Sequence, residues 1–119
     1  MKVFLVAAAL FALTHGFATH FNLYWFYPWF DVLMHFWGGV LITAGTVVLA
    51  RQRLLPRPIK KRLLLTIAFI CIFGWEVFEY MFGISAGPLY ILDTISDVAI
   101  GFTGVLTGYL ALRKTNRQL

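Results

Sequence analysis

Long apolar segments separated by short polar or aromatic ones set the pattern of this chain. Four segments are almost entirely apolar, and an α-helix needs about 20 such residues to cross the ~30 Å hydrocarbon core of a bilayer. The pattern predicts an all-α, polytopic membrane protein whose four transmembrane helices form two helical hairpins. The predicted helices cover residues 3–19, 31–50, 63–82 and 93–112.

The segments between these helices differ in character. Residues 20–30 are rich in Tyr, Trp and Phe, side chains that favour the membrane–water interface, and they predict an interfacial aromatic loop. Residues 51–62 form a basic loop with two prolines, residues 83–92 an outer Gly/Pro turn, and residues 113–119 a basic tail. We therefore expect a single transmembrane domain over residues 1–119.

The first apolar segment has a second interpretation. Residues 1–19 combine Lys2, an apolar stretch and small residues near Ala18, which is also the pattern of a signal peptide. His15 lies in the outer part of the segment, where a signal peptide has no need for an imidazole. We expect the segment to be retained as a transmembrane helix.

The basic residues all fall on one side of the predicted bundle. The ten Lys and Arg residues are Lys2, six in residues 51–62 and three in residues 113–119. Basic loops stay cytoplasmic, so both termini are predicted to be cytoplasmic, and the membrane is expected to be a bacterial inner membrane. Because this topology signal explains the net charge of +5, we expect membrane lipids as partners and no nucleic acid.

The composition indicates a membrane protein, and the cysteine count excludes sites that need two or more cysteines of this chain. Hydrophobic residues make up 61% of the chain and charged residues 13%, against about 25% charged in soluble domains. The single cysteine, Cys71, excludes an internal disulfide and a cysteine-based zinc cluster.

The acidic residues concentrate at one depth of the predicted bundle. Their spacing of three or four residues places each neighbouring pair on one helix face, and a rise of ~1.5 Å per residue puts them all in the outer third of the membrane. His15 reaches the same layer. The pairs are Asp31 with His35, Glu76 with Glu79, and Asp93 with Asp97.

These side chains predict a divalent-metal site. Clustered carboxylates need a compensating positive charge, and no Lys or Arg lies on that side. Carboxylate oxygens and imidazole nitrogens are ligands of Zn, Mn and Fe, which helical bundles can hold between facing helices. The predicted ligands are Asp31, His35, Glu76, Glu79, Asp93 and Asp97, with His15 as an additional candidate.

Glu76 is the deepest of the acids, and we predict that it acts as a general base. The alternatives are structural: Asp31 and Asp93 can cap helix N-termini, and the deeper groups can form a hydrogen-bonded cluster that joins the helices.

Three functions fit this arrangement. The leading hypothesis is a metal-dependent membrane enzyme that acts on a lipid or lipid-linked substrate. The second is a proton- or cation-coupled transport protein. The third is a small accessory subunit, in which the polar layer and the glycine-rich faces bind another membrane subunit or a second copy of the chain.

A short internal similarity relates the second and fourth helices. The spacing of Asp31, His35 and Gly39 repeats in Asp93, Asp97 and Gly101. Duplication of a hairpin explains this match, as does chance. Duplicated hairpins would lie around an axis along the membrane normal.

The polar positions also resemble a known family. The series Asp31-x3-His35, Trp75-Glu76-x2-Glu79 and Asp93-x3-Asp97 followed by Gly101 resembles the YjdF-like family of small bacterial inner-membrane proteins. It is more weakly similar to the VanZ-like family of membrane proteins. The resemblance covers roughly residues 31–108 and implies a polytopic membrane protein with a polar outer site, without an assigned reaction.

Overall fold

The computed structural model describes residues 1–82 and 90–117, with side chains up to residue 114. The described residues form five helices, which confirms the all-α fold class. They are α1 (Lys2–His20), α2 (Leu23–Phe26), α3 (Pro28–Arg51), α4 (Lys61–Phe82) and α5 (Tyr90–Arg117).

Four of the helices in this part of the chain are long and apolar enough to cross a membrane: α1, α3, α4 and the Tyr90–Lys114 part of α5. Many of their large apolar side chains face outward, such as Val3 at 84% and Ile70 at 64% exposed. Outward apolar side chains are expected where lipid surrounds the bundle.

The four long helices all begin earlier than the sequence pattern predicts, α1 and α4 by one or two residues and α3 and α5 by three. Within residues 20–30, the short helix α2 follows Asn22, which has a left-handed φ of 54°, and α3 then starts at Pro28 rather than at residue 31. Proline favours the first helical position because its φ is already helical and it has no N–H to leave unpaired. Helix α5 starts at Tyr90, so residues 90–92 of the predicted outer loop are helical, and residues 83–89 lie outside the described residues.

Helix α5 also runs past its predicted end at residue 112, as far as Arg117. The prediction followed the apolar stretch, which reports where the hydrocarbon core ends. Arg and Lys are good helix formers, so the helix continues where the sequence becomes basic.

Helices α3 and α5 run parallel through the centre of the bundle in very close contact. A Cβ atom on Gly39 would overlap the carbonyl oxygen of Gly101, and one on Gly104 would overlap the carbonyl oxygen of Phe36. Small residues permit such an approach between membrane helices. One turn further along, the Thr43 hydroxyl donates a hydrogen bond of 3.0 Å across the interface to the Val105 carbonyl.

Helices α4 and α1 flank this pair on different sides. Helix α4 is antiparallel to α5: its Ile72 side chain packs over Gly101, while the Lys61 ammonium lies 5.9 Å from the centre of the Tyr109 ring. Helix α1 packs against α2 and α3, and α4 packs against α3 and α5. The basic ends of all four long helices therefore lie at one end of the bundle, and the beginnings of α3 and α5 lie at the other.

Candidate metal centre

His35 of α3 lies at the centre of an acidic cluster near the end of the bundle that is opposite the basic residues. Its Nε2 atom is 3.4 Å from an Asp31 oxygen and 3.8 Å from an Asp97 oxygen. Its Nδ1 atom, on the other side of the ring, is 3.9 Å from Glu76 Oε1. The His35 side chain is only 10% exposed, so three carboxylates surround a largely buried imidazole.

The side chains form two groups of potential ligands that share His35. One group combines it with Asp31 and Asp97, and the other with Glu76 and Glu79. Within each group, one ligand atom per residue can be chosen so that all lie within 4.8 Å of one another. The helix pairing explains this convergence, because parallel α3 and α5 place His35 beside Asp97 while α4 supplies the two glutamates.

The two glutamates of α4 have different partners. Glu79 Oε1 accepts a hydrogen bond of 2.8 Å from the indole nitrogen of Trp75. Glu76 is 4% exposed, and its Oε1 atom has no hydrogen-bond partner among the described residues. A buried carboxylate oxygen without a hydrogen bond is costly, so Glu76 Oε1 is an acceptor that a further partner would stabilise.

Two of the predicted ligands lie outside these groups. Asp93 is on α5, one turn before Asp97, but its side chain is exposed, and neither group includes it. His15 approaches from α1, with its Nδ1 atom 2.6 Å from the Tyr24 hydroxyl and its ring nearly perpendicular to that of Trp75, with ring centres 5.1 Å apart. Metal binding by Asp93 and His15 stays a sequence-based prediction, and the metal site proposed below is formed without either side chain.

Sequence reasoning did not assign a role at the site to two neighbours of the cluster, Trp75 and Tyr24, although Trp75 belongs to the series that resembles the YjdF-like family. Trp75 could have been found, because its spacing of four residues from Glu79 places the two on one helix face. Tyr24 could not, because it is one of many aromatic residues in its segment. Partial burial raises the pKa of Tyr24 above its usual range, so its hydroxyl stays protonated and can donate to His15.

A cavity of about 440 Å³ adjoins the cluster between α1, α3 and α4. Asp31, His35 and Glu79 line one end of it, and mostly apolar side chains line the rest. The cluster is therefore buried in the bundle but accessible from an apolar space.

A comparison with known protein families shows which family the chain belongs to. The family described as "Predicted membrane protein (DUF2238)" matches residues 1–118. The chain belongs to this family. Membership in this family confirms that the chain is a membrane protein. It agrees with the resemblance to the YjdF-like family but does not establish that the two families are the same. It does not support the resemblance to the VanZ-like family. No curated protein and no solved structure matches the chain.

Proposed function

We propose that this DUF2238 protein binds a divalent metal ion at His35 and uses it in chemistry on a membrane lipid. The observation that carries the proposal is the pair of distances from the Nε2 atom of His35 to the Asp31 and Asp97 carboxylates, which are 3.4 and 3.8 Å. They exceed the roughly 2.7–3.2 Å of a direct hydrogen bond. Donors bound at about 2.0–2.1 Å to one tetrahedral ion lie roughly 3.4 Å apart, which is close to the observed values.

The Nε2 side of His35 is the better place for the ion. Both Asp31 and Asp97 approach this atom, so one imidazole nitrogen and two carboxylate oxygens surround one point. The Nδ1 side faces Glu76, and a metal-binding histidine commonly turns its other ring nitrogen toward a carboxylate, which fixes the orientation of the ring. Zn, Mn and Fe suit this donor set.

The proposed chemistry uses the ion and the carboxylate of Glu76, which is not one of the ligands of the ion. A bound divalent ion polarises a carbonyl or phosphoryl oxygen, or it lowers the pKa of a bound water. The Oε1 atom of Glu76, which has no hydrogen-bond partner among the described residues, can accept a proton in that step as a general base. Because the site lies within an apolar bundle, a lipid or lipid-linked molecule is the proposed substrate.

The proposed location is a bacterial inner membrane, with both termini in the cytoplasm and the metal site toward the outer leaflet. The clustering of all ten Lys and Arg residues at one end of the bundle supports this orientation, because basic segments stay cytoplasmic. In a Cys71→Ser background, a membrane-impermeant thiol reagent should label Gln52→Cys only in inverted vesicles and Trp25→Cys only from outside the cell. The reverse labelling would contradict the orientation.

Replacing Glu76 by glutamine tests the catalytic role. We expect Glu76→Gln to retain most of the metal, because Asp31, His35 and Asp97 remain and the glutamine oxygen can still face Nδ1 of His35. It should lose activity, because an amide cannot accept the proton. The purified protein with added Zn or Mn would be incubated with a bacterial lipid extract, and mass spectrometry would identify the lipid that the wild type converts.

The matched control is Asp93→Asn, which removes a carboxylate on α5 that belongs to neither ligand group. It should convert lipid at the wild-type rate and keep its metal. Loss of all metal in Glu76→Gln would show that Glu76 is a required ligand rather than the base.

A further inference from the structure

The cavity beside the metal cluster is a cleft between α1 and α4, with α3 as its floor. The backbones of α1 and α4 both lie close to that of α3, but within the described residues they do not approach each other. Side chains of all three helices line the space. Two helices that rest on a third and stay apart leave the side of the bundle open between them.

The walls of the cleft are apolar below the cluster. Helix α1 contributes the rings of Phe4 and Phe11, and α4 contributes Ile67 and Cys71. Ile42 lies on the floor, on α3. Away from the polar end, the lining residues include no charged side chain, so this part of the cleft suits a hydrocarbon group rather than an ion or a sugar.

Cys71 marks the depth at which the cleft is open. Its side chain lines the cavity and also belongs to the exposed surface of the chain. It lies ~15 Å along α4 from Lys61 at 1.5 Å per residue, which is near the middle of a hydrocarbon core ~30 Å thick. The medium outside the bundle at that depth is hydrocarbon, so the opening faces the acyl chains of the bilayer.

Aromatic contacts connect the two walls at the polar end. The rings of His15 on α1 and Trp75 on α4 have centres 5.1 Å apart. Nδ1 of His15 lies 2.6 Å from the Tyr24 hydroxyl, and the Trp75 indole donates a hydrogen bond to Glu79. These contacts bridge α1 and α4 at the level of the cluster, whereas the two backbones stay apart further down. The open part of the cleft is therefore on the bilayer side of this bridge.

The polar end and the opening have the order of the two ends of a lipid. Glu79 lies ~12 Å beyond Cys71 along α4, toward the end of the bundle that is opposite the basic residues. A lipid in the leaflet at that end has its headgroup at the outer level and its tails toward the middle of the membrane. Such a lipid can move into the cleft sideways without turning over.

We propose that a membrane lipid enters the protein sideways, between α1 and α4 at the level of Cys71, so that its tail lies in the cleft and its headgroup reaches the metal cluster. The inference rests on the proposed function for what happens to the headgroup, whereas the entrance depends only on the cleft. It assigns the partner of this surface as a lipid of the leaflet on the cluster side.

Photolabelling inside a bilayer tests the entrance in the unmodified protein. The protein would be reconstituted in vesicles of phosphatidylethanolamine and phosphatidylglycerol that contain a phosphatidylethanolamine with a diazirine in the inner part of one acyl chain. Ile42 on the floor of the cleft and Ile70 on the outward face, which is 64% exposed, each lie ~14 Å from the basic end of their helix. One probe carbon therefore reaches the depth of both, and mass spectrometry should find label at both residues.

A larger side chain at the opening should separate the two labels. We expect Cys71→Trp to lose the label at Ile42 and to keep the label at Ile70 and the metal. The matched control is Phe69→Trp, which adds an indole at a 54% exposed position of the same helix that is not among the lining residues. It should keep both labels.

Absence of label at Ile42 in the wild type would overturn the inference, and a Cys71–Cys71 disulfide between two copies would then assign the cleft to a second copy of the chain. Equal labelling of Ile42 in Cys71→Trp and Phe69→Trp would also overturn it. Label at Ile42 in wild-type protein that holds no metal would refute the proposed metal chemistry and leave the entrance in place. Metal without label at Ile42 would refute the entrance alone.

Discussion

Replacing Gly39 by alanine is expected to destabilise the bundle severely. The added Cβ would overlap the backbone carbonyl of Gly101 and would lie 2.8 Å from the backbone nitrogen of Val105. Backbone atoms of a packed helix cannot move aside as a flexible side chain can, so α3 and α5 would have to separate. Overpacking of a well-packed core typically costs about 1–3 kcal/mol and sometimes more, and we expect Gly39→Ala to reach the upper end of that range.

The matched control is Gly74→Ala on α4, where an added Cβ meets nothing within 4 Å. Alanine in a helix interior is favoured over glycine by roughly 0.5–1 kcal/mol, so this variant should melt at or slightly above the wild-type temperature. The measurement is thermal unfolding of both purified variants in detergent. Equal melting temperatures for Gly39→Ala and Gly74→Ala would contradict the close packing of α3 against α5.

The four membrane helices could be predicted because the thickness of the bilayer sets the length of each apolar segment. Each apolar stretch has the length that spans the hydrocarbon core, and this constraint acts on a single segment without reference to its neighbours. Helix ends depend on more local effects. Pro28 begins α3 and basic residues extend α5 to Arg117, and hydropathy reports neither feature.

Part of the candidate site could also be predicted, because residues three or four apart share a helix face. This rule suggested that His35 and Asp97 point inward, and the parallel pairing of α3 and α5 places their nearest atoms 3.8 Å apart. The aligned glycines of the internal similarity, Gly39 and Gly101, also meet across this interface. The rule did not distinguish Asp93 from Asp97, because exposure depends on how far along α5 the neighbouring helices reach.

The cavity could not be predicted from the sequence. It exists because the backbone of α1 lies close to that of α3 but not to that of α4, and no residue pattern within one helix encodes which helices stay apart. Likewise, the contact of His15 with Tyr24 joins two segments whose relative position is fixed only by the folded chain.

The membrane-spanning stretches below the cluster offer few side chains that could line a path for a cation. The stretches 40–50, 63–72 and 105–112 contain no acid and no histidine. Thr43 and Thr46 are buried there, but their hydroxyls donate to the carbonyls of Val105 and Ile42. A cation that entered at Asp31 would therefore meet few free ligands in the basic half of the bundle.

Replacing Asp97 by asparagine is expected to abolish stable metal binding. The change preserves the shape of the side chain but removes one of the two carboxylates that approach Nε2 of His35. Loss of an outer partner of a metal ligand already costs about 10–100-fold in affinity or activity, and loss of a direct ligand should cost more. Asp93→Asn is the control, because it removes the same charge one turn away on the same helix and outside both ligand groups.

The most direct test is elemental analysis of the protein purified in detergent without added metal, with Asp97→Asn and Asp93→Asn measured in parallel. We predict stoichiometric Zn, Mn or Fe in the wild type and in Asp93→Asn, and almost none in Asp97→Asn. Absence of metal from all three proteins, together with equal thermal stability, would contradict the metal centre and would indicate that protons balance the buried carboxylates.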